Sequence, residues 1–201
     1  MSAYTSQRNG PAGFDFTGQM RGLCLDITRR LPEMNHIDIN RVAVTFCQAR
    51  KKVNWGLYAK LTPMRFEDGN RFGTIRGRRY AAQQLLDEQG REMLYILSFY
   101  LPRFMDIDFR EKLVTVFHEL WHISPEFNGD IRRHAGRCYA HTHSQKEYDA
   151  EMEKLVNVWL QLSPPAECLS FLENDFRRLA NNHGPIFGLR VTQPRLIPVA
   201  Y

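Results

Sequence analysis

Residues 108–123 carry the strongest helical pattern in the chain. Apolar residues recur there at steps of three and four, which gathers them on one face of an α-helix: Phe109, Leu113, Val116, Phe117 and Leu120. Pro125 and Gly129 follow at the point where such a helix would end. A helix with one apolar face has to bury that face against another layer of structure. The spacing therefore predicts a buried amphipathic helix over residues 108–123.

The same stretch contains the pattern H-E-x-x-H, from His118 to His122. Residues four apart project from one face of a helix, so the two imidazoles lie close enough to share a metal ion. Glu119 is one step around the helix and reaches a metal-bound water instead of the metal. The pattern predicts one zinc ion per chain, with Glu119 as the general base that activates the water. The alternative interpretation is a pair of core histidines bonded to neighbouring groups, with Glu119 solvated.

Histidines are concentrated around this motif, since five of the seven fall between residues 118 and 143. A catalytic zinc takes three protein ligands and keeps one open position, so one further ligand is required. We expect His134, because Pro125 and Gly129 turn the chain back after the helix. Four other side chains remain open as the third ligand: His141, His143, Glu147 and Glu151. His141 or His143 could instead be the hydrogen-bond partner of a ligand or a donor to the transition state. Asp130 is a candidate acceptor for the second N–H of a ligating imidazole.

The remaining chain alternates helical and strand patterns, which indicates an α+β fold. Helices are predicted over residues 17–31, from 144 to the break at Pro164-Pro165, and over 166–179. Strands are predicted over 42–46, 55–66 and 93–101, with turns at Asp68-Gly69 and Gln89-Gly90, whereas 72–86 suits either strand or helix. We expect residues 1–16 to be a flexible N-terminus and 17–201 to be a single domain with an extended tail over 184–201.

Composition sets broad limits on the class of protein. The N-terminus lacks the apolar core of a signal peptide, and no run approaches the roughly 18 apolar residues of a membrane span, so we expect a cytoplasmic protein without membrane contact. The four cysteines form no C-x-x-C pair, which favours free thiols: Cys24, Cys47, Cys138 and Cys168.

The chain has a formal net charge of +5, and residues 41–79 hold ten Lys or Arg against Glu67 and Asp68. Interleaved aromatic residues could stack bases there: Trp55, Tyr58, Phe66, Phe72 and Tyr80. The alternative function predicted from this region is nucleic-acid association with a structural or vestigial metal site. A solvated sheet face with ordinary core aromatics explains the same residues without a ligand.

The motif resembles that of the zincin group of zinc metallopeptidases, and the run HELWHISPEFNGDIRRH from His118 to His134 is similar to phage-type metallopeptidases. The resemblance implies a peptidase acting on protein or peptide substrates, with zinc held by His118, His122 and His134. It also implies a small mixed or antiparallel sheet packed on an N-terminal helix and the H-E-x-x-H helix, followed by C-terminal helices. Pro125 and Asn128 stand where the metzincin subgroup has Gly and His, which excludes that subgroup.

In zincins a strand beside the active-site helix pairs with the extended substrate, and the resemblance suggests the apolar run Met93 to Leu101 for this strand. The competing interpretation is that this run is the core of the sheet.

Overall fold

The computed structural model describes residues 12–49, 56–133 and 145–199, with the backbone alone for 145–149. Within these residues the chain is a mixed α+β structure with three small sheets. The helices are α1 (Phe16–Arg30), α2 (Phe109–Trp121), α3 (Gln145–Gln161) and α4 (Phe176–His183). The strands are β1 (Phe14–Asp15), β2 (Val42–Gln48), β3 (Ala59–Pro63), β4 (Phe72–Ile75), β5 (Arg78–Ala82), β6 (Tyr95–Leu101), β7 (Ile186–Phe187) and β8 (Leu196–Pro198).

The central sheet has three strands in the order β2-β6-β3. Strand β2 runs parallel to β6, and β3 runs antiparallel to it on the other side. Both edges of β6 are therefore occupied by neighbouring strands. The suggestion that the Met93 to Leu101 run pairs with a substrate is wrong for this reason, and the competing interpretation of a core strand is confirmed.

Helices α1 and α2 pack on one face of this sheet, and α3 packs on α2. The core between these layers is rich in large side chains that are wholly buried, including Phe16, Tyr95, Phe99, Phe117 and Trp159. The opposite face is covered by a smaller cluster of Ala43, Met64, Met93 and Ile96, against which Leu85 and Val191 pack. Burial on both faces explains why the sequence of β6 is almost uniformly apolar.

Two short sheets accompany the central one. Strand β1 pairs in parallel with β7, and β4, β5 and β8 form an antiparallel sheet. The segment that suits either strand or helix in the sequence, 72–86, is thus a hairpin at its N-terminal end. Its turn contains Arg76 and Gly77, both with positive φ.

The beginning and the end of the chain differ in detail from expectation. Phe14 and Asp15 form β1, and Phe16 begins α1, so these last residues of the segment expected to be flexible belong to ordered elements. The helix predicted over 166–179 is wrong, because two 3-10 turns occupy Ala166–Cys168 and Ser170–Glu173. Asp175 then caps α4 by accepting a hydrogen bond from the Arg178 N–H at 2.7 Å.

None of the helices in the described ranges has both the length and the apolar character that crossing a membrane requires. Cys24, Cys47 and Cys168 are free thiols, and Cys138 lies outside the described residues.

Candidate metal centre

The helix that carries the H-E-x-x-H motif is α2, and the prediction for this element is confirmed. Asp108 caps its N-terminus by accepting a hydrogen bond from the Glu111 N–H at 2.9 Å. The apolar face that the spacing indicates is buried, with Leu113, Val116, Phe117 and Leu120 fully inaccessible to solvent. Burial of this face fixes the rotation of the helix, so the next positions around it point toward the sheet edge and the surface.

His118 and His122 lie next to each other at the C-terminal end of α2. Their ring centroids are 4.7 Å apart and the ring planes cross at 79°, and both side chains are partly exposed. Two imidazoles that share one tetrahedral zinc ion, with Zn–N bonds of about 2.1 Å, place their centroids about 5 Å apart. The spacing of these rings therefore fits two of the ligands of such an ion.

Glu119 points from the same helix to the free edge of β3. Its Oε2 atom accepts a hydrogen bond from the backbone N–H of Leu61 at 2.5 Å. Burial raises the pKa of the Glu119 carboxyl to about 7, against the opposing effects of the Leu61 N–H and the charge of Lys60. A carboxyl with a pKa near 7 can exchange a proton with water at neutral pH, as a general base must.

Among the described residues, no strand pairs with the edge of β3 that Glu119 faces. Met64 donates its N–H to Leu94 and Tyr58 accepts the N–H of Tyr100, so the even-numbered residues of this segment bond to β6. The odd-numbered residues consequently direct their backbone groups away from the sheet. Just after β3, on the same edge, the Arg65 N–H donates to the Gly129 carbonyl at 3.0 Å.

The chain that follows α2 returns to the end of that helix. Ile131 forms an antiparallel bridge with Ile123, and the Arg132 N–H donates to the His122 carbonyl at 2.7 Å. The Arg132 side chain donates to the Trp121 carbonyl at 2.8 Å and lies 4.0 Å from the centroid of the Trp121 ring. These contacts satisfy carbonyls at the helix end and hold residues 131–133 beside the two histidines.

A buried polar contact holds the loop between these segments. The Tyr95 hydroxyl accepts the Gly129 N–H at 3.0 Å and donates to the Asp130 carbonyl at 2.8 Å. Tyr95 lies in an otherwise apolar strand. Its hydroxyl was the one sign in the sequence that this residue could hold the loop. The Asp130 carboxylate accepts hydrogen bonds from the Asp68 and Ile131 N–H groups and from Arg133, and its role as an acceptor for a ligating imidazole stays a prediction.

His36, like Tyr95, lies near this site and was not among the residues predicted from the sequence. Burial, followed by the positive charge of Arg132, lowers its pKa, while a hydrogen bond with the Ile123 backbone acts in the opposite direction. Its Nε2 atom is buried and has no hydrogen-bond partner among the described residues. His36 therefore lies beside the end of α2 in an environment that disfavours its charged form.

The other expected ligands are not brought together in the part of the chain that the structure describes. His134, His141 and His143 lie outside the described residues, as does the side chain of Glu147, and Glu151 is an exposed residue of α3. Among the described residues, no three His, Cys, Asp or Glu side chains form a group able to hold a metal ion. Of the three expected zinc ligands, only the geometry of His118 and His122 can thus be compared with that of a zinc site.

The chain shows no match to a protein-family model, to a curated protein or to a solved structure.

Proposed function

We propose that this chain is a zinc-dependent metallopeptidase in which Glu119 is the general base. The observation that carries the proposal is that one helix bears two adjacent imidazoles and the Glu119 carboxylate, which reaches the edge of β3 that no described strand pairs. A general base, two metal-type ligands and a backbone edge are the parts that a zinc peptidase needs in one place. His118 and His122 would hold the zinc ion with His134.

Zinc bound by these histidines would polarise the scissile carbonyl and lower the pKa of a coordinated water toward 7. Glu119 accepts the proton that the attacking water releases, and donates it to the amine of the leaving peptide. Both transfers require a carboxyl that binds and releases a proton, and in the absence of a metal ion burial raises the pKa of Glu119 to about 7.

The free edge of β3 would bind the substrate backbone. An extended peptide can add to an open strand edge through alternating N–H and C=O groups, which aligns it without reading its side chains. Ala59 and Leu61 direct backbone groups to this edge, and because the Leu61 N–H is bonded to Glu119, the substrate would pair with the Ala59 N–H and the carbonyls of both residues. Strand β3 thus takes the role that the sequence suggested for Met93 to Leu101.

The proposal of His134 as third ligand rests on the return of the chain to α2. The Arg132 N–H donates to the carbonyl of His122, a proposed ligand. His134 is two residues further along the chain. The mixed sheet packed on α1 and on the motif-bearing helix supports the further proposal that the fold is zincin-like.

The test combines metal analysis with a peptidase assay on the purified full chain. We expect about one zinc ion per chain, cleavage of an unfolded protein such as casein, and loss of both zinc and cleavage in His122→Ala. Glu119→Gln should retain zinc and lose at least about 100-fold in rate, because it removes the base and leaves the ligands unchanged.

Matched controls separate these effects from damage to the fold. His183→Ala removes an exposed histidine of α4, and Glu111→Gln makes the same chemical change as Glu119→Gln two turns earlier on α2. Both controls should retain zinc and activity. Zinc content that is unchanged in His122→Ala would contradict the metal site, and full activity in Glu119→Gln would contradict the general base.

A further inference from the structure

The described basic residues of the stretch 41–79 lie in different environments in the fold. Arg65 forms an ion pair with Glu92 at 2.5 Å, and the Arg41 guanidinium donates to the Glu92 carbonyl at 3.1 Å. These two cations serve contacts within the protein. The arginines that follow Asn70 instead lie on the small antiparallel sheet, and a further one, Arg195, joins them from the C-terminal part of the chain.

The basic sheet is defined as β4, β5 and β8 with their flanking residues, 71–82 and 193–199. It bears five exposed arginines and no Asp or Glu: Arg71, Arg76, Arg78, Arg79 and Arg195. The formal net charge of the whole chain is +5, so all residues outside the basic sheet sum to zero. The excess charge of this protein is therefore concentrated on one structural unit.

One side of the basic sheet, the Phe72 face, combines apolar and cationic groups. Directly paired residues share a side in an antiparallel sheet, which groups Phe72 with Ala81 and Ile197, and Thr74 with Arg79. The Phe72 and Ile197 side chains are 47% and 50% exposed. The Arg79 guanidinium lies 4.9 Å from the centroid of the Phe72 ring. An exposed aromatic ring with an arginine against it offers a surface for stacking.

We propose that the Phe72 face binds single-stranded nucleic acid. Charge complementarity selects a polyanion, since strand alternation places Arg79 and Arg195 on the Phe72 side and the basic sheet contains no Asp or Glu. Arginine supplies both phosphate contacts and planar stacking surfaces, and unpaired bases stack on exposed aromatic rings. A duplex hides the faces of its bases, so the exposed Phe72 ring favours a single strand. This proposal is independent of the peptidase site.

The distribution of apolar groups argues against a lipid surface as the partner. A segment that binds a membrane interface presents its apolar residues on one face. Here Phe72 and Ile197 lie on one side of the sheet, whereas Ile75 and Leu196 lie on the other by strand alternation. Neither side alone offers a continuous apolar layer to insert.

The experiment measures fluorescence anisotropy of a labelled 20-nucleotide oligo(dT) with the purified full chain between 50 and 200 mM NaCl. We expect binding that weakens steeply with salt, because phosphate contacts release counterions. The double variant Arg79→Ala/Arg195→Ala should weaken binding at least tenfold and reduce the slope of log K against log salt by about 1.4. The control Arg29→Ala/Arg177→Ala has the same net charge, alters exposed arginines of α1 and α4, and should bind within about twofold of the unchanged chain.

A second pair of variants tests stacking separately from charge. Phe72→Leu keeps an apolar side chain but removes the ring, so affinity should fall about tenfold while the salt slope stays constant. Ile75→Ala removes an exposed apolar residue from the opposite side of the sheet and should leave affinity unchanged. Phe72 and Ile75 are 47% and 40% exposed, so thermal unfolding of all four variants is measured beside binding, and Ile75→Ala shows how far a loss of partly buried apolar surface alone changes affinity.

Three outcomes would overturn the proposal. The first is no oligo(dT) binding at 50 mM NaCl, and the second is equal weakening in the Arg29/Arg177 control, which would indicate attraction by net charge alone. The third is tighter binding to vesicles with 30% phosphatidylserine, or to a polyglutamate peptide, with the same dependence on Arg79 and Phe72. That result would assign the surface to a membrane or to an acidic protein.

Discussion

The backbone N–H of Leu61 donates to the Glu119 carboxylate at 2.5 Å, which joins the motif-bearing helix to the free edge of β3. This bond holds the Glu119 side chain, the proposed general base, at β3, the proposed substrate-binding strand. A carboxylate held by a backbone donor has fewer orientations than one in water, and a base has to be oriented correctly before it can act.

The first prediction concerns this bond. Leu61→Pro removes the donor and the leucine side chain, whereas Leu61→Ala removes the side chain alone; proline is tolerated where an edge N–H points away from its sheet. We expect kcat/KM of Leu61→Pro to be about tenfold below that of Leu61→Ala, with equal zinc content in the two variants. Equal kcat/KM would show that the bond does not orient Glu119. Circular dichroism and thermal unfolding check that both variants fold.

The second prediction concerns the loop between α2 and residue 134. Tyr95→Phe keeps the ring, which lies 5.3 Å from Phe127 between centroids, but removes the hydroxyl that bonds Gly129 and Asp130. The free energy of unfolding should fall by about 1–3 kcal/mol, because the Gly129 N–H loses its partner in a buried position. Zinc affinity, measured by competition with a chromogenic chelator, should fall about tenfold.

Tyr80→Phe is the control for this variant, since it removes the hydroxyl of a half-buried tyrosine in the basic sheet. It should leave zinc affinity unchanged. A loss of stability in Tyr95→Phe without any loss of zinc affinity would separate the loop from the metal centre.

The third prediction concerns Lys112, a buried lysine on α2. Its ammonium donates to the carbonyls of Leu172 at 2.8 Å and Asn174 at 2.9 Å, and only 2% of the residue is exposed. Lys112→Ala should lower the free energy of unfolding by about 2–4 kcal/mol, since it leaves two carbonyls without their donor and opens a cavity. Lys154→Ala, on the exposed side of α3, should change it by less than about 0.5 kcal/mol in the same urea titration.

The fourth prediction concerns pH and His36. Because the folded-state pKa of this imidazole is lowered by burial, its proton binds more weakly in the folded than in the unfolded chain. The stabilisation from neutral His36 is complete above the ordinary pKa of about 6.5, and it is lost as the pH falls from there through the lowered value. We expect His36→Phe to lose less stability than the unchanged chain between pH 8 and pH 5, measured by urea unfolding at each pH. An identical pH dependence in the two proteins would contradict this assignment.

The sequence predicted the helices and strands whose hydrophobic period is long and regular. Helix α2 and strand β6 appear where spacing and apolar content place them, because burial of one face or of both faces leaves a clear period in the residues. Residues 166–179 include apolar side chains at steps of three and four that also suit a helix, Leu169, Leu172, Phe176 and Leu179, although the structure has 3-10 turns at Ala166–Cys168 and Ser170–Glu173. Local pattern does not distinguish these two structures.

The site could be predicted only as far as its helix. The spacing of His118 and His122 determines that both rings share a face, and the structure agrees. The bond from Leu61 to Glu119 joins residues 58 positions apart, and nothing in the local sequence around either residue encodes it. The pairing of β6 on both edges likewise depends on β2 and β3, which are remote from it in sequence. The sequence alone therefore could not show that β3, and not β6, has an edge for a substrate.

The parallel pairing of β1 with β7 has a consequence for the order of folding. The Thr17 hydroxyl accepts the Leu189 N–H at 2.8 Å across 172 positions of the chain, and the Pro185 carbonyl accepts the Phe14 N–H. During synthesis the first residues of α1 emerge long before the segment that covers them, and domains begin to fold from their N-terminal side. The ribosome therefore delivers α1, the three-stranded sheet and the motif-bearing helix before β7, and the pairing of β1 with β7 can form only after most of the chain has been made.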